Sequence, residues 1–297
     1  MKNKRSPGRI VFNILNYTFL GLFALLCLYP LWYVFIYSIS DPQLVERYGL
    51  TILPRGFTLR NFGSVLEIQG IFPAMGISVL RTVVGTVFSL FSCMFLGYLF
   101  TKEEMPGKKF WYRFVMITMY VSGGMIPFYL AVRAYGLLNT FWIYVFPTVS
   151  AYNVLLIKTF VEQLPREMEE SATIDGAGTM KIFLRIILPL SLPIAATISI
   201  FVSVGQWNAW FDNHIFNTNR PDLTTLQYLL YNYLKQAEHL AALLKEKNAG
   251  NINQANYLTP SGVRMTVTMI TVIPILLVYP FFQKYIVKGI MIGAVKG

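Results

Sequence analysis

Residues 10–40 read IVFNILNYTFLGLFALLCLYPLWYVFIYSIS and contain no charged side chain. A membrane-spanning helix needs roughly 20 mainly apolar residues, so this run is long enough to cross a bilayer. It is about twice as long as the apolar core of a secretory signal peptide, and no small-x-small cleavage site ends it. We therefore interpret it as a retained spanning helix, although the preceding MKNKRSPGR resembles the start of a signal peptide.

Five further apolar runs predict an all-α integral membrane protein with about six transmembrane helices in one domain, residues 1–297. Only 13% of the residues are charged, about half the usual fraction of a soluble domain. Prolines inside these runs, such as Pro147 and Pro193, predict kinks. The predicted spans are Ile10–Ile36, Ile77–Phe100, Phe114–Val132, Phe141–Ile157, Ile186–Phe211 and Met265–Phe282.

The distribution of Lys and Arg predicts the orientation of the chain. Basic residues cluster before span one, between spans two and three, between spans four and five, and after span six. By the positive-inside rule, both termini are cytoplasmic, and residues 39–76 and 212–263 lie outside. We interpret the net charge of +11 as this topology signal, and not as a nucleic-acid surface.

The long external loop before the last span, residues 212–263, is polar and mixed. Leucines recur at helical spacing between Leu226 and Leu244, which predicts one or two short amphipathic helices. The stretches Asn248–Gly250 and Thr259–Gly262 have the composition of turns.

The cytoplasmic loop, residues 158–185, and the start of span five read KTFVEQLPREMEESATIDGAGTMKIFLRIILPLSLP. Pro165 can open a helix, and an acidic first turn suits the positive end of its dipole. The sequence Asp175-Gly176-Ala177-Gly178 predicts a turn in which Gly176 either adopts a positive φ or allows a close approach. Thr179 then caps a second helix that leads into span five.

The spacing Glu170-Ser171-Ala172, three residues, Gly176, nine residues, Ile186, one residue, Leu188-Pro189 resembles the EAA loop of ABC-importer permeases. The one departure is Ser171, where that family usually has Ala. The resemblance implies a type I importer fold and a coupling helix that docks on an ATP-binding subunit. The residues implied in this coupling are Glu169, Glu170, Ser171, Ala172, Asp175, Gly176, Ala177 and Gly178.

The tail Gln283-Lys284-Tyr285 … Lys288-Gly289 … Gly293-Ala294-Val295-Lys296-Gly297 is similar to the carbohydrate branch of that family. With the Leu188-Pro189-Leu190 triplet, it resembles the maltose-type second permease, in the subgroup for complex or acidic oligosaccharides. The resemblance implies a bacterial cell membrane, a heterodimer with a second, similar permease, two ATPase subunits and an extracytoplasmic solute-binding protein.

No GxxxxGK[ST] phosphate loop is present, so we expect no enzyme activity in this chain, with ATP and Mg held by partner subunits. His214 and His239 are far apart in sequence and predict no metal site. The alternatives are an importer for a non-sugar solute, a secondary transporter and a membrane scaffold. Acidic residues are absent from the six predicted span cores, which argues against proton coupling.

Aromatic residues at the outer ends of spans one and five have two interpretations. They are an interfacial aromatic belt, or they contact sugar along a substrate pathway. These residues are Tyr29, Trp32, Tyr33, Trp207 and Trp210. In the last external loop, Asn251, Asn253, Gln254 and Asn256 are candidates for contact with the binding protein; the alternative is a cap over the pathway.

Overall fold

The computed structural model describes residues 7–49, 52–246 and 259–294, and every regular element in these ranges is a helix. The chain divides into two compact units. One runs up to Gln69 and resumes at Asn232–Val272; the other comprises Gly70–Tyr231 and continues from Ile273. The predicted all-α class is confirmed.

The first unit begins with the long apolar helix α1, Pro7–Ser38, followed by α2, Pro42–Tyr48, and α3, Arg60–Leu66. The amide of Asn61 in α3 donates to the carbonyls of Ser38 and Ser40, at 3.0 and 2.9 Å. It satisfies carbonyls that the end of α1 leaves without helical partners. These bonds fasten α3 to the end of α1.

The second unit is built around α4, Ile71–Leu99. After it come α5, Lys108–Ile117; α6, Met125–Ala134; two 3₁₀ turns, Phe141–Tyr144 and Phe146–Thr148; α7, Ala151–Val161; α8, Glu167–Ile174; and α9, Thr179–Ile182. A π turn, Phe183–Ile187, then leads to α10, Leu188–Leu190; α11, Leu192–Asn208; α12, Phe211–Phe216; and a 3₁₀ turn, Pro221–Leu223.

Helix α4 packs most closely on α7 and α11, and glycine permits the approach. At Gly97, an added Cβ would lie 2.7 Å from Cγ2 of Ile157 in α7, so a larger residue would force the helices apart. Met94, Ile157 and Ile198 from these three helices are fully buried in one core. This core holds α4 against the helices that flank the loop of residues 158–185.

Two further helices, α13, Leu226–Glu246, and α14, Pro260–Ala294, continue from one unit into the other. The predicted helical periodicity after Leu226 is confirmed, as one helix instead of short pieces. The predicted turn at Thr259–Gly262 is wrong, because α14 starts at Pro260. The Thr259 hydroxyl accepts a hydrogen bond from the Gly262 N–H at 3.1 Å, as a helix N-cap does.

Three helices of the described residues are long and apolar enough to cross a membrane: Gly8–Ser38, Ile71–Leu99 and Pro260–Phe281. Two bent pairs bring the number to five if each pair is one span. The predicted third span, Phe114–Val132, is not one helix, because α5 ends at Ile117 and α6 starts at Met125. Gly124 between them has a φ of 81°, which ends helical continuity.

The predicted fourth and fifth spans are bent pairs. The 3₁₀ turns at Phe141–Thr148 meet α7 at 44°, and the Thr179–Leu190 segment meets α11 at 82°. Pro147 and Pro193 lie beside these breaks, as their missing N–H groups predict. Pro30 and Pro274 instead lie inside the continuous helices α1 and α14.

Candidate functional site

The loop of residues 158–185 forms a helix, a glycine turn and a second helix, as the sequence predicts. Gly176 has a φ of 75°, which confirms the predicted left-handed residue. The Ala177 N–H donates to the Ala172 carbonyl at 2.9 Å and the Gly176 N–H to Thr173 at 3.0 Å. This pair of bonds is a Schellman motif, so α8 ends at a defined direction.

The second helix of the loop differs in one detail from its prediction. Thr179 does not cap it: Gly178 is the N-cap, and no side chain accepts a hydrogen bond there. The cap prediction failed because Gly178 already has the extended backbone that an N-cap requires. From α9 the chain passes through the π turn and α10 directly into α11.

One face of α8 is attached to the end of α4 through Glu169. Its carboxylate accepts a hydrogen bond from the Tyr98 hydroxyl at 2.9 Å and forms an ion pair with Lys102. Tyr98 is fully buried, its ring stacks on Phe183 at 5.6 Å, and Nζ of Lys102 lies 4.6 Å from the ring centroid. Burial lowers the pKa of Lys102, and the nearby Glu104 opposes that shift.

The adjacent face of α8, about 100° round the helix from Glu169, is open to solvent in the part of the chain that the structure describes. Glu170 is exposed, and Ile174, one turn further on, is 87% exposed. These two side chains share one helix face because they are four residues apart. This exposed isoleucine and carboxylate are therefore both accessible to another protein.

The remaining predicted coupling residues are either exposed or packed on the core. Ser171, Asp175, Gly176 and Gly178 are exposed. Ala172 and Ala177 are half-buried and pack on the core around Met94 and Ile157. Small side chains at these two positions let α8 lie close to the core.

A cavity of about 360 Å³ lies in the second unit, near the residues that join α11 to α12. The aromatic residues Phe128, Phe201 and Phe216 line part of it. Its polar lining includes Arg81, Tyr144, Asn153, Gln206 and Asp212.

Arg81 of α4 is the centre of the polar network, with only 2% of its surface exposed. Its guanidinium donates to both carboxylate oxygens of Asp212, at 3.1 and 2.5 Å. It also donates to Oε1 of Gln206 at 3.1 Å and to the Ala209 carbonyl at 3.2 Å. The guanidinium carbon lies 4.3 Å from the Tyr144 ring centroid. The buried charge is therefore paired and hydrogen-bonded, as its burial requires.

This network was not predicted from the sequence. Arg81 falls within the predicted span Ile77–Phe100 and Asp212 in the predicted external loop 212–263, so no pairing of the two was expected. The available signal was a lone arginine inside an apolar run, since such residues are rare and usually have a partner.

The aromatic residues predicted to line a substrate pathway do not belong to the polar network around Arg81. In the first unit, Tyr29, Trp32 and Tyr33 lie on α1, where Nε1 of Trp32 donates to the Ile52 carbonyl at 3.1 Å. In the second unit, Trp207 is buried, and Trp210 stacks on Tyr231 at 4.2 Å. Neither Trp207 nor Trp210 lines the cavity at Arg81.

The predicted binding-protein contacts, Asn251, Asn253, Gln254 and Asn256, lie outside the described residues. Within the ranges that the structure describes, no group of three or more His, Cys, Asp or Glu side chains could hold a metal ion. His214 instead contacts the Tyr228 hydroxyl at 3.1 Å.

Comparison with known proteins identifies relatives along nearly the whole chain, although no protein-family model matches it. Protein LplC of Bacillus subtilis is 36% identical over 97% of this chain and 95% of its own length. The polygalacturonan/rhamnogalacturonan transport system permease protein YtcP of the same organism is 34% identical over 100% of both chains.

A solved structure has the same fold. It is a chain of a bacterial ABC transporter involved in the import of the acidic polysaccharide alginate. The match has a TM-score of 0.77 at 28% identity and covers 95% of this chain and 98% of that chain. Together with the apolar helices and the EAA-type loop, these similarities show that this multi-pass membrane protein belongs to the permease subunits of ABC sugar importers.

Proposed function

We propose that this chain moves an oligosaccharide into the cytoplasm, and that α8 couples it to a separate ATPase subunit. The observation that carries the coupling role is the two-sided placement of α8. Glu169 holds one face on α4, while Glu170 and Ile174 remain exposed on the adjacent face. A helix that is attached to the membrane helices on one face and exposed to solvent on the next can transmit the movement of a docked partner.

The proposed partners follow from this role. Two ATPase subunits bind ATP and Mg and hydrolyse the nucleotide, because this sequence has no phosphate loop. A second, similar permease completes the pathway as a heterodimer, and an extracytoplasmic binding protein delivers the solute. The relative YtcP, a transport system permease protein, and the alginate ABC transporter support the ATPase and binding-protein partners.

The proposed cargo is an acidic oligosaccharide. The solved ABC transporter is involved in the import of the acidic polysaccharide alginate, and YtcP is named for transport of polygalacturonan and rhamnogalacturonan. No described feature favours a non-sugar solute or a secondary transporter.

We also propose that both termini are cytoplasmic, with α8 on the cytoplasmic side and α12 outside. Cysteines introduced at Thr218 and Gly178, both exposed, should react with an impermeant maleimide from opposite sides of the membrane. Cys27 is replaced first to lower the background, since it is exposed. Labelling of both positions in intact cells would refute this orientation.

Loss of the exposed carboxylate of Glu170 should separate ATP hydrolysis from uptake. The Glu170→Ala variant, co-expressed with its native partners, should insert normally into the membrane. Its uptake of glycan per ATP hydrolysed should fall about tenfold, because it loses a charge-assisted contact worth about 1.5–3 kcal/mol. Gly176→Leu should act in the same direction, because a side chain at φ 75° costs about 1–2 kcal/mol.

The matched control is Glu103→Ala, an exposed carboxylate between α4 and α5. The subunit content of each purified complex is determined alongside, and two unlike permeases with two ATPases are expected. Wild-type coupling in a correctly assembled Glu170→Ala complex would remove the docking role of α8.

A further inference from the structure

The cavity at Arg81 has both aromatic and polar lining residues, and its volume suits one sugar ring. Its volume of about 360 Å³ falls within the roughly 300–1,000 Å³ of typical ligand pockets. Aromatic faces accept the C–H face of a sugar, while nearby amides and carboxylates bind its hydroxyls. Phe201 provides such a face, because it lines the cavity and is 58% exposed.

Most polar groups in this cavity are already engaged with one another. Four of the five N–H groups of Arg81 are used by Gln206, Ala209 and Asp212. Gln206 is also occupied at both ends, since its Nε2 donates to the Tyr144 carbonyl at 3.1 Å. These side chains form a fixed frame.

The amide of Asn153 is an exception. This residue is only 7% exposed and lines the cavity, yet its amide has no hydrogen-bond partner among the residues that the structure describes. Its amide atoms are not sealed off by protein, so they are open to the cavity and can exchange water for a ligand. A ligand with hydroxyl groups in the cavity could both donate to and accept from this amide.

We propose that this cavity is a binding subsite for one sugar unit of the transported glycan, with Asn153 as the hydrogen-bonding contact and Phe201 as the stacking face. This chain then holds part of the transmembrane substrate site itself. The proposal rests on the oligosaccharide cargo proposed above. Arg81 and Asp212 hold the walls of the cavity in position. They keep their ion pair with each other and do not contact the sugar.

The test uses the purified complex without its binding protein, and radiolabelled galacturonate trisaccharide and maltotriose as probes. Asn153→Ala should weaken binding of the transported probe about tenfold, as expected for one lost hydrogen bond of the stronger kind. Phe201→Leu, which keeps apolar volume but removes the ring, should weaken it several-fold.

Thr148→Val is the matched control. Thr148 lines the same cavity, but its hydroxyl donates to the Val145 carbonyl at 2.7 Å, so its proton is not available to a sugar. Wild-type affinity in both the Asn153→Ala and Phe201→Leu complexes would overturn the subsite while leaving the cargo proposal intact. A wild-type complex that binds and transports neither probe would overturn both the cargo and the subsite.

Discussion

Replacing Asp212 by Ala should strongly lower the amount of folded permease in the membrane and its thermal stability. The change leaves the guanidinium of Arg81, only 2% exposed, without its carboxylate partner. Breaking a buried ion pair from one side costs about 3–5 kcal/mol, a large part of the stability of an ordinary domain. The measurements are the yield of assembled complex and its unfolding temperature.

The two partners of this pair should not be equivalent. Asp212 keeps 25% of its side chain exposed, so after Arg81→Met its carboxylate can recover part of its hydration. We expect Arg81→Met to be less damaging than Asp212→Ala, and the double variant Arg81→Met/Asp212→Leu to recover part of the loss. Full recovery is not expected, because Oε1 of Gln206 and the Ala209 carbonyl also lose their donor.

An exposed pair on the same unit provides the control. Arg220 and Asp222 are joined at 2.7 Å, but their side chains are 48% and 59% exposed. Water screens such a pair, so Asp222→Ala should leave the unfolding temperature unchanged. If Asp212→Ala proved as stable as Asp222→Ala, the buried network at Arg81 would not hold this part of the fold.

Local patterns were predictable from the sequence wherever a single segment determines its own conformation. The charge-free run before Ser40 is one helix, and Gly176 ends α8 with the backbone that only glycine adopts easily. The acidic first turn of α8 also lies where the helix dipole favours it. Each of these features depends on neighbours within a few residues.

Features that depend on long-range pairing were not predictable in the same way. The partners of Arg81 lie more than 120 positions away along the chain, at Gln206 and Asp212, and no local rule selects them. The apolar run of Phe114–Val132 satisfies the length criterion for a span, but that criterion ignores backbone breaks such as Gly124. The inward direction of Glu169 also depends on Tyr98, which is distant in sequence.

Glu169 and Glu170 are adjacent acidic residues on α8, and we expect them to act at opposite ends of the coupling route. Glu170 faces the solvent, whereas Glu169 contacts Tyr98 and Lys102 at the end of α4. An isolated helix as short as α8 is unstable in water, so its position depends on such attachments. We therefore expect Glu169 to carry a large part of the movement of a partner docked on Glu170 to α4, beside the packing of Ala172 on the same core.

Glu169→Ala should accordingly leave the ATPase subunits bound and active, while uptake per ATP hydrolysed falls about tenfold. The lost contacts, one hydrogen bond and one half-buried ion pair, are together worth about 2–3 kcal/mol. Glu169→Gln, which keeps an acceptor for Tyr98, should have a smaller effect. Exchanging the charges in Lys102→Glu/Glu169→Lys should restore part of the coupling, because it rebuilds the ion pair.

The control for this series is Glu162→Ala, which removes the ion pair that Lys158 forms with Glu162 within one turn at 2.6 Å. That pair does not connect α8 to α4, and 46% of the Glu162 side chain is exposed, so coupling should be unchanged. A merely structural role for Glu169 would lower assembly, hydrolysis and uptake together. A link to α4 lowers only the ratio of uptake to hydrolysis, and an unchanged ratio in a fully assembled Glu169→Ala complex would show that α4 receives its movement by another route.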